Sequence, residues 1–222
     1  MKRIKRWTAA LLVAALSFCF TSGAHAVQFK DVKKGKWYHD AVSWAVKYNI
    51  TNGTSATTFS PNETCTRAQF LTMLWRDAGC PKPSDSRTVF SDVKASAYYA
   101  EAVAWAAQKG ICTGSIVNGH RVFKPDSSVT RAEAVAFLWR ALGSRVDMET
   151  VHPFIDVPSG AYYETAALWM RDFGIVDGTG NGCFSPSKTC TRAEAVTLLY
   201  RISCKNLAGM GTPGGTLPFR GS

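Results

Sequence analysis

Acidic residues are the scarcest charged class in this chain. Charged residues fill only 19% of the 222 positions, and they divide into 26 Lys and Arg against 16 Asp and Glu, a formal charge of +10. That balance disfavours a cationic partner and favours an anionic one. Histidine is scarce too, with four in all, and none recurs between the repeats described below. No Gly-x-Ser-x-Gly elbow, His-Glu-x-x-His pair or phosphate-binding glycine loop occurs, so the commonest sequence signatures of hydrolases and nucleotide-binding enzymes are missing and no cofactor is implied. There is no Cys-x-x-Cys pair, and His39, His120 and His152 share no spacing with the cysteines, which argues against zinc. Apolar residues (46%) and aromatics (12%) are plentiful, enough for a packed core, so wholesale disorder is excluded.

Four of the cations, Lys2, Arg3, Lys5 and Arg6, precede an apolar run from about Ala9 to Phe20 and a small-residue stretch ending Ala24-His25-Ala26. This pattern reads as a secretory signal peptide over residues 1–26, cleaved after Ala26. A lipoprotein reading would need a small residue before Cys19, where Phe18 stands. No later apolar run reaches the roughly 18 residues of a membrane-spanning helix. Without the signal the chain keeps 22 basic residues against 16 acidic ones and six cysteines: Cys65, Cys80, Cys112, Cys183, Cys190 and Cys204. An even set in an exported protein points to disulfides. Helix length separates Cys65 from Cys80 and Cys190 from Cys204. Cys183 and Cys190 bracket one Pro-containing turn and are the favoured pair.

Internal repetition dominates what remains. Phe29-x-Asp31-Val32, Phe90-x-Asp92-Val93 and Phe154-x-Asp156-Val157 recur. Eight residues after each Phe comes an aromatic pair: Trp37-Tyr38, Tyr98-Tyr99, Tyr162-Tyr163. Trp44, Trp105 and Trp169 follow, then Gly53, Gly114 and Gly178, then Phe-x-Pro ending at Pro61, Pro125 and Pro186. Each unit then carries Thr-Arg-Ala-Gln or Thr-Arg-Ala-Glu. The units run over 29–82, 90–145 and 154–204, with a Gly-, Pro- and Thr-containing tail over 205–222 that reads as a linker.

Within each unit the pattern predicts helix, irregular loop, helix. Ala41, Val42, Ala45 and Tyr48 recur at helical spacing, as do Ala102, Val103 and Ala106. Thr66, Thr130 and Thr191 read as N-caps, with Gln69, Glu133 and Glu194 three residues on to complete capping boxes. Helices of about 12 residues are marginal alone, so the units must bury their apolar faces against one another.

In this order and three times over, these motifs resemble S-layer homology (SLH) repeats. The likeness covers residues 29–204 and implies a mainly all-α fold of three helix-loop-helix repeats in a pseudo-threefold, three-pronged domain. It also implies non-covalent anchoring to the bacterial cell wall through an acidic secondary wall polysaccharide, often pyruvylated. Departures are Gln69 for the usual Glu, Tyr98 and Tyr162 for the usual Trp, and Asn49-Ile50 where Gly-Ile is expected.

Arg67, Arg131 and Arg192 need the most explanation. Each follows a cap and enters the first helical turn, where the macrodipole disfavours a cation. Two readings stand on residues alone. Each Arg, beside exposed backbone N–H donors, receives an anionic ligand, or each pairs with Asp31, Asp92 or Asp156. The resemblance implies the ligand role, and the first-turn position implies that losing each Arg costs little stability. Arg76, Arg140 and Arg201 suit the dipole in the last turn. Trp44, Trp105 and Trp169 read as core, whereas Trp37, Tyr98 and Tyr162 can stack on a sugar with a wet polar tip. Gly53, Gly114 and Gly178 read as helix C-caps of positive φ, and the resemblance adds close approach to a ligand. A calcium loop from Asp177 fails because its twelfth position is Lys188. The reading is a secreted, non-catalytic wall-anchoring module at the cell surface, with no nucleic-acid role. Two rival readings are an envelope protein-binding adaptor and the targeting part of a wall-remodelling enzyme.

Overall fold

A computed structural model describes residues 29–144 and 153–205. The expected signal peptide, Cys19 and all of the tail beyond Lys205 lie outside the described residues. Six helices follow in order: α1 His39–Lys47, α2 Arg67–Asp77, α3 Ala100–Gln108, α4 Arg131–Ala141, α5 Glu164–Asp172 and α6 Arg192–Cys204. The fold is mainly helical, with the helices in pairs. One short hairpin, β1 Ser115–Val117 and β2 His120–Val122, interrupts the second repeat. Its turn is Asn118-Gly119, both at positive φ, the conformation that a two-residue hairpin demands.

Each second helix starts as its sequence dictates. Thr66, Thr130 and Thr191 accept from the backbone N–H three residues on, and the Gln69, Glu133 and Glu194 side chains accept from the cap's own N–H. The first helices have no side-chain cap and begin after Tyr38, Tyr99 and Tyr163. They end on a left-handed residue: Asn49 (φ 57°), Gly110 (φ 69°) or Gly174 (φ 63°). Asn tolerates this conformation better than other non-glycine residues, which accounts for the Asn49-Ile50 variant.

The helix pairs do not form within the repeats. The second helix of each unit packs on the first helix of the next, α2 on α3 and α4 on α5, and α6 closes back on α1. Three two-helix prongs result, each shared by two units. Short apolar residues pack the inner faces of these first helices: Ala41, Val42 and Ala45 in α1, and Ala102, Val103 and Ala106 in α3, are all buried.

At the centre the three capping segments hold one another. The Cys65 N–H donates to the Cys190 carbonyl, the Cys190 N–H to Val129 and the Val129 N–H to Cys65, each at 2.9 Å. Antiparallel bridges Thr64 to Thr191, Thr66 to Ser128 and Thr130 to Thr189 flank this ring. Around it lies the core, in which Phe59, Phe123 and Phe184 are wholly buried. Each of these packs on its own unit's motif phenylalanine, Phe29, Phe90 or Phe154, with ring centroids 5.4–5.8 Å apart. Truncating one such buried ring to Ala costs about 3–5 kcal/mol.

The glycine expectation needs correction. Gly114 has positive φ (68°), but Gly53 and Gly178 do not. Space is the common reason: a Cβ at Gly53 would collide with the Phe29 ring and the Thr58 carbonyl, at Gly114 with Phe90 and the Val122 carbonyl, and at Gly178 with the Cys183 carbonyl at 2.9 Å.

Candidate functional site: three inter-repeat grooves

The groove is built from the aspartates outward. Asp31 accepts from the backbone N–H groups of Phe59 (2.9 Å) and Ser60 (2.7 Å). Asp92 holds Phe123 and Lys124, and Asp156 holds Phe184 and Ser185, in the same way. Ser60, Lys124 and Ser185 sit at φ near 58°, so the carboxylates stabilise a turn that is otherwise strained. Both aspartate oxygens serve the turn of their own repeat. The Arg–Asp pairing considered from sequence therefore does not form.

The arginines reach into the adjacent repeat. Arg67 Nε donates to the Phe123 carbonyl (2.9 Å), Arg131 Nε to Phe184 (2.8 Å) and Arg192 Nε to Phe59 (2.9 Å). Each guanidinium carbon lies 4.7–4.9 Å from the centroid of that same phenylalanine ring, a cation–π contact. Asp31, the Phe59 turn and Arg192 thus form one chain of support from the first repeat to the third. The first-turn amides are occupied as well: Arg67 and Ala68 donate to Ser127 and Pro125, Arg131 and Ala132 to Lys188 and Pro186, and Arg192 and Ala193 to Glu63 and Pro61. The exposed N–H donors expected at these helix ends are absent, and the arginines carry structural weight that the dipole reasoning missed. Sequence could not show this, because every acceptor lies in a different repeat.

Arg67 and Arg192 are buried, and Arg131 is half-buried. Two of the five N–H donors of each guanidinium have protein acceptors among the described residues. The last-turn arginines also do more than suit the dipole. Arg76, Arg140 and Arg201 donate to the carbonyls of Ile50, Ile111 and Ile175, tying the end of each second helix to the loop after the first.

Two of the resulting grooves are well defined. One, of about 420 Å³, combines Arg67 of the first repeat, Gly114, Lys124, Glu133 and Arg140 of the second, and Tyr162 of the third. The other, of about 320 Å³, combines Arg131 of the second repeat, Gly178, Lys188 and Arg201 of the third, and Trp37 of the first. Every groove so built draws on all three repeats. At the equivalent place in the first repeat, Tyr98 and Arg192 are electrostatic neighbours, with Arg76 also beside Tyr98. Trp37, Tyr98 and Tyr162 are 58–64% exposed, each held edge-on by the following tyrosine with ring centroids 5.0–5.2 Å apart. Of the third motif tryptophans' set, Trp105 and Trp169 are core as expected, whereas Trp44 is only half-buried.

The six cysteines outside the expected signal peptide are free thiols. The expected Cys183–Cys190 bridge is not formed, because Cys190 turns into the axial core while Cys183 lies on the groove loop, its thiol toward the Asn181 carbonyl. Burial pushes Cys65, Cys112 and Cys190 up to about 12, so these thiols stay protonated and unreactive near neutrality.

A profile of the S-layer homology domain matches residues 28–71, 89–135 and 153–196, one copy for each turn of the pseudo-threefold arrangement. The chain belongs to the S-layer homology domain family. Among similar proteins is an S-layer protein of Bacillus thuringiensis subsp. finitimus, 26% identical over 87% of this chain and 23% of its own length. A cell surface protein of Thermoanaerobacter kivui is 31% identical over 80% of this chain and 22% of its own. An amylopullulanase of Thermoanaerobacterium thermosulfurigenes is 31% identical over 78% of this chain and only 9% of its own. The chain thus spans less than a quarter of each of these relatives. SLH proteins are associated with cell surfaces and S-layers, and the described residues of this chain are SLH repeats with no catalytic domain evident among them. Among the described residues no helix is long and apolar enough to cross a membrane.

Proposed function

We propose that this SLH module is an exported, non-catalytic anchor that binds an acidic secondary polysaccharide of the bacterial cell wall, a pyruvylated one by family likeness. The observation that carries the reading is the recurring groove in which cations face an exposed aromatic ring. Guanidinium and ammonium groups such as Arg67, Lys124 and Arg140 suit a sugar-borne carboxylate. Tyr162, and Trp37 and Tyr98 in the equivalent places, offer a flat face on which a sugar ring can stack. In this reading Arg67, Arg131 and Arg192 contact the ligand with the donors left over from their structural bonds. Gly53, Gly114 and Gly178 allow close approach, and Asp31, Asp92 and Asp156 act as positioning residues.

Sedimentation of the protein with purified sacculi, before and after chemical removal of the secondary polymer, tests the reading. Binding is expected to be lost with the polymer and weakened by salt, since charge recognition is screened. Equal binding to stripped peptidoglycan, or retention only by an envelope protein fraction, would overturn it. Tyr98→Ala, Tyr162→Ala and Trp37→Ala should lower affinity with little change in Tm, because these rings are already mostly exposed.

A further inference from the structure

Where the end of α2 meets the α1–α6 prong lies a cavity of about 180 Å³ lined by Trp44, Tyr48, Tyr200, Arg76 and Asp77 among others. Asp77 is out of place there. It lies ten residues after Arg67, and the residues ten after Arg131 and Arg192 are Ala141 and Ile202. The repeat therefore has an apolar side chain at this position, and the first copy alone carries an acid. That acid is only 9% exposed, and its Oδ2 is the one fully buried side-chain polar atom among the described residues with no hydrogen-bond partner. Neighbouring Arg76 does not compensate it, since its Nη1 turns to the Ile50 carbonyl at 3.5 Å. Burial alone pushes the Asp77 carboxyl up to about 7. A desolvated, unpaired carboxyl is costly and persists where something offsets it.

The walls indicate what offsets it. Trp44 is half-buried, whereas its counterparts Trp105 and Trp169 are buried. Its ring meets Tyr200 at 5.6 Å and 54° and Tyr48 at 6.2 Å and 56°, forming an open aromatic corner. The Tyr48 ring already has the Lys47 ammonium 5.1 Å from its centroid. Aromatic faces converging near a carboxylate suit a positive charge that is weakly hydrated, and the volume accommodates a small organic group.

We propose that this cavity binds a small organic ammonium group, its charge set against Asp77 and its N-alkyl groups against Trp44, Tyr48 and Tyr200. The cavity adjoins the first-repeat groove, with which it shares Arg76, and Asp77 gives it the opposite charge preference to the one proposed for the grooves.

Titration calorimetry of the full chain with trimethylammonium chloride, and with tert-butanol as a neutral probe of similar shape, tests this. Saturable binding is expected for trimethylammonium, with tert-butanol weaker by about tenfold or more, the size of a lost charge contact in a desolvated site. Asp77→Asn should lower trimethylammonium affinity at least as much. Asp77→Leu, which restores the apolar pattern of Ile202, should raise Tm and abolish binding, so loss of binding is separated from loss of fold. The same ammonium affinity in Asp77→Leu, equal binding of tert-butanol, or no saturable binding to the wild type would each overturn the proposal. Wall binding in the sedimentation assay should be the same in Asp77→Leu and wild type.

Discussion

The grooves of the second and third repeats share one plan yet place their arginines differently. In the second, Arg67 forms a 2.6 Å ion pair with Glu133. In the third, Arg131 ignores the matching Glu194 and donates to the Asp177 carbonyl. One side chain accounts for the difference. Lys188 of the third repeat reaches Glu194 at 2.9 Å and neutralises it, whereas the second repeat has Ser127 at that position and leaves Glu133 to attract the guanidinium. The first repeat confirms the logic by another route. Its Gln69 is neutral, and Arg192 donates to Asn52, the counterpart of Asp177. Whether the groove arginine is charge-neutralised is thus set by a residue outside the Thr-Arg-Ala-Glu motif, so three near-identical motifs give unequal sites.

The comparison can be broken most forcefully at the arginines. Arg67→Ala removes the bond to Phe123 and strands Glu133, so a loss of roughly 3 kcal/mol is expected, with Arg192→Ala close behind and Arg131→Ala smallest. Thermal or denaturant unfolding measures this, and unchanged midpoints would mean the inter-repeat bonds contribute nothing. Glu133→Gln keeps its capping geometry but loses the charge pair. It should cost about 1 kcal/mol, against a few tenths for Glu194→Gln, whose partner Lys188 is half exposed. The same Glu133→Gln change should tighten polymer binding by freeing Arg67.

A subtler change converts one groove into the other. Ser127→Lys should capture Glu133 and release Arg67 toward the Thr113 carbonyl, leaving stability within roughly 0.5 kcal/mol of wild type. A crystal structure or guanidinium NMR of the variant would show the switch, and an intact Arg67–Glu133 pair would refute it. The smallest effect concerns acid. Burial raises the Glu194 carboxyl, but the Thr191 N–H and Lys188 bring it below its ordinary value. Its stabilisation is complete above the unfolded value of about 4.3 and is lost as pH falls through the lower folded value. Glu194→Gln should therefore flatten the acid limb of the stability curve by a few tenths of a kcal/mol, since its partner Lys188 is half exposed.

Much of this was legible in the residues. The capping boxes at Thr66, Thr130 and Thr191 formed as spaced, because capping is decided within four residues. The exposed stance of Trp37, Tyr98 and Tyr162 followed from their place ahead of each first helix. What could not be read was partner choice across repeats. The acceptor of Arg67 lies 56 residues away and that of Arg192 lies 133 away. Periodicity says that α2 has an apolar face but not that α3, rather than α1, covers it. The Asn118-Gly119 hairpin was a local signal that went unread. Positive φ is required at Gly114 alone, whereas at Gly53 the Phe29 ring and nearby carbonyls, and at Gly178 the Cys183 carbonyl, leave no room for a Cβ, a constraint set by distant residues.

The contact of α6 with α1 fixes the copy number of the module. An open array of repeats can gain or lose a unit at either end, with terminal repeats adapted to face solvent. Here there is no terminal repeat to adapt. Each unit donates an arginine forward and receives one from behind, and the count returns to its start at three. A two-unit fragment would leave one guanidinium without its carbonyl, one phenylalanine turn without its cation and two helices with bare apolar faces. Duplication therefore has to proceed in whole sets of three, and a protein needing more wall contacts must add a second complete ring.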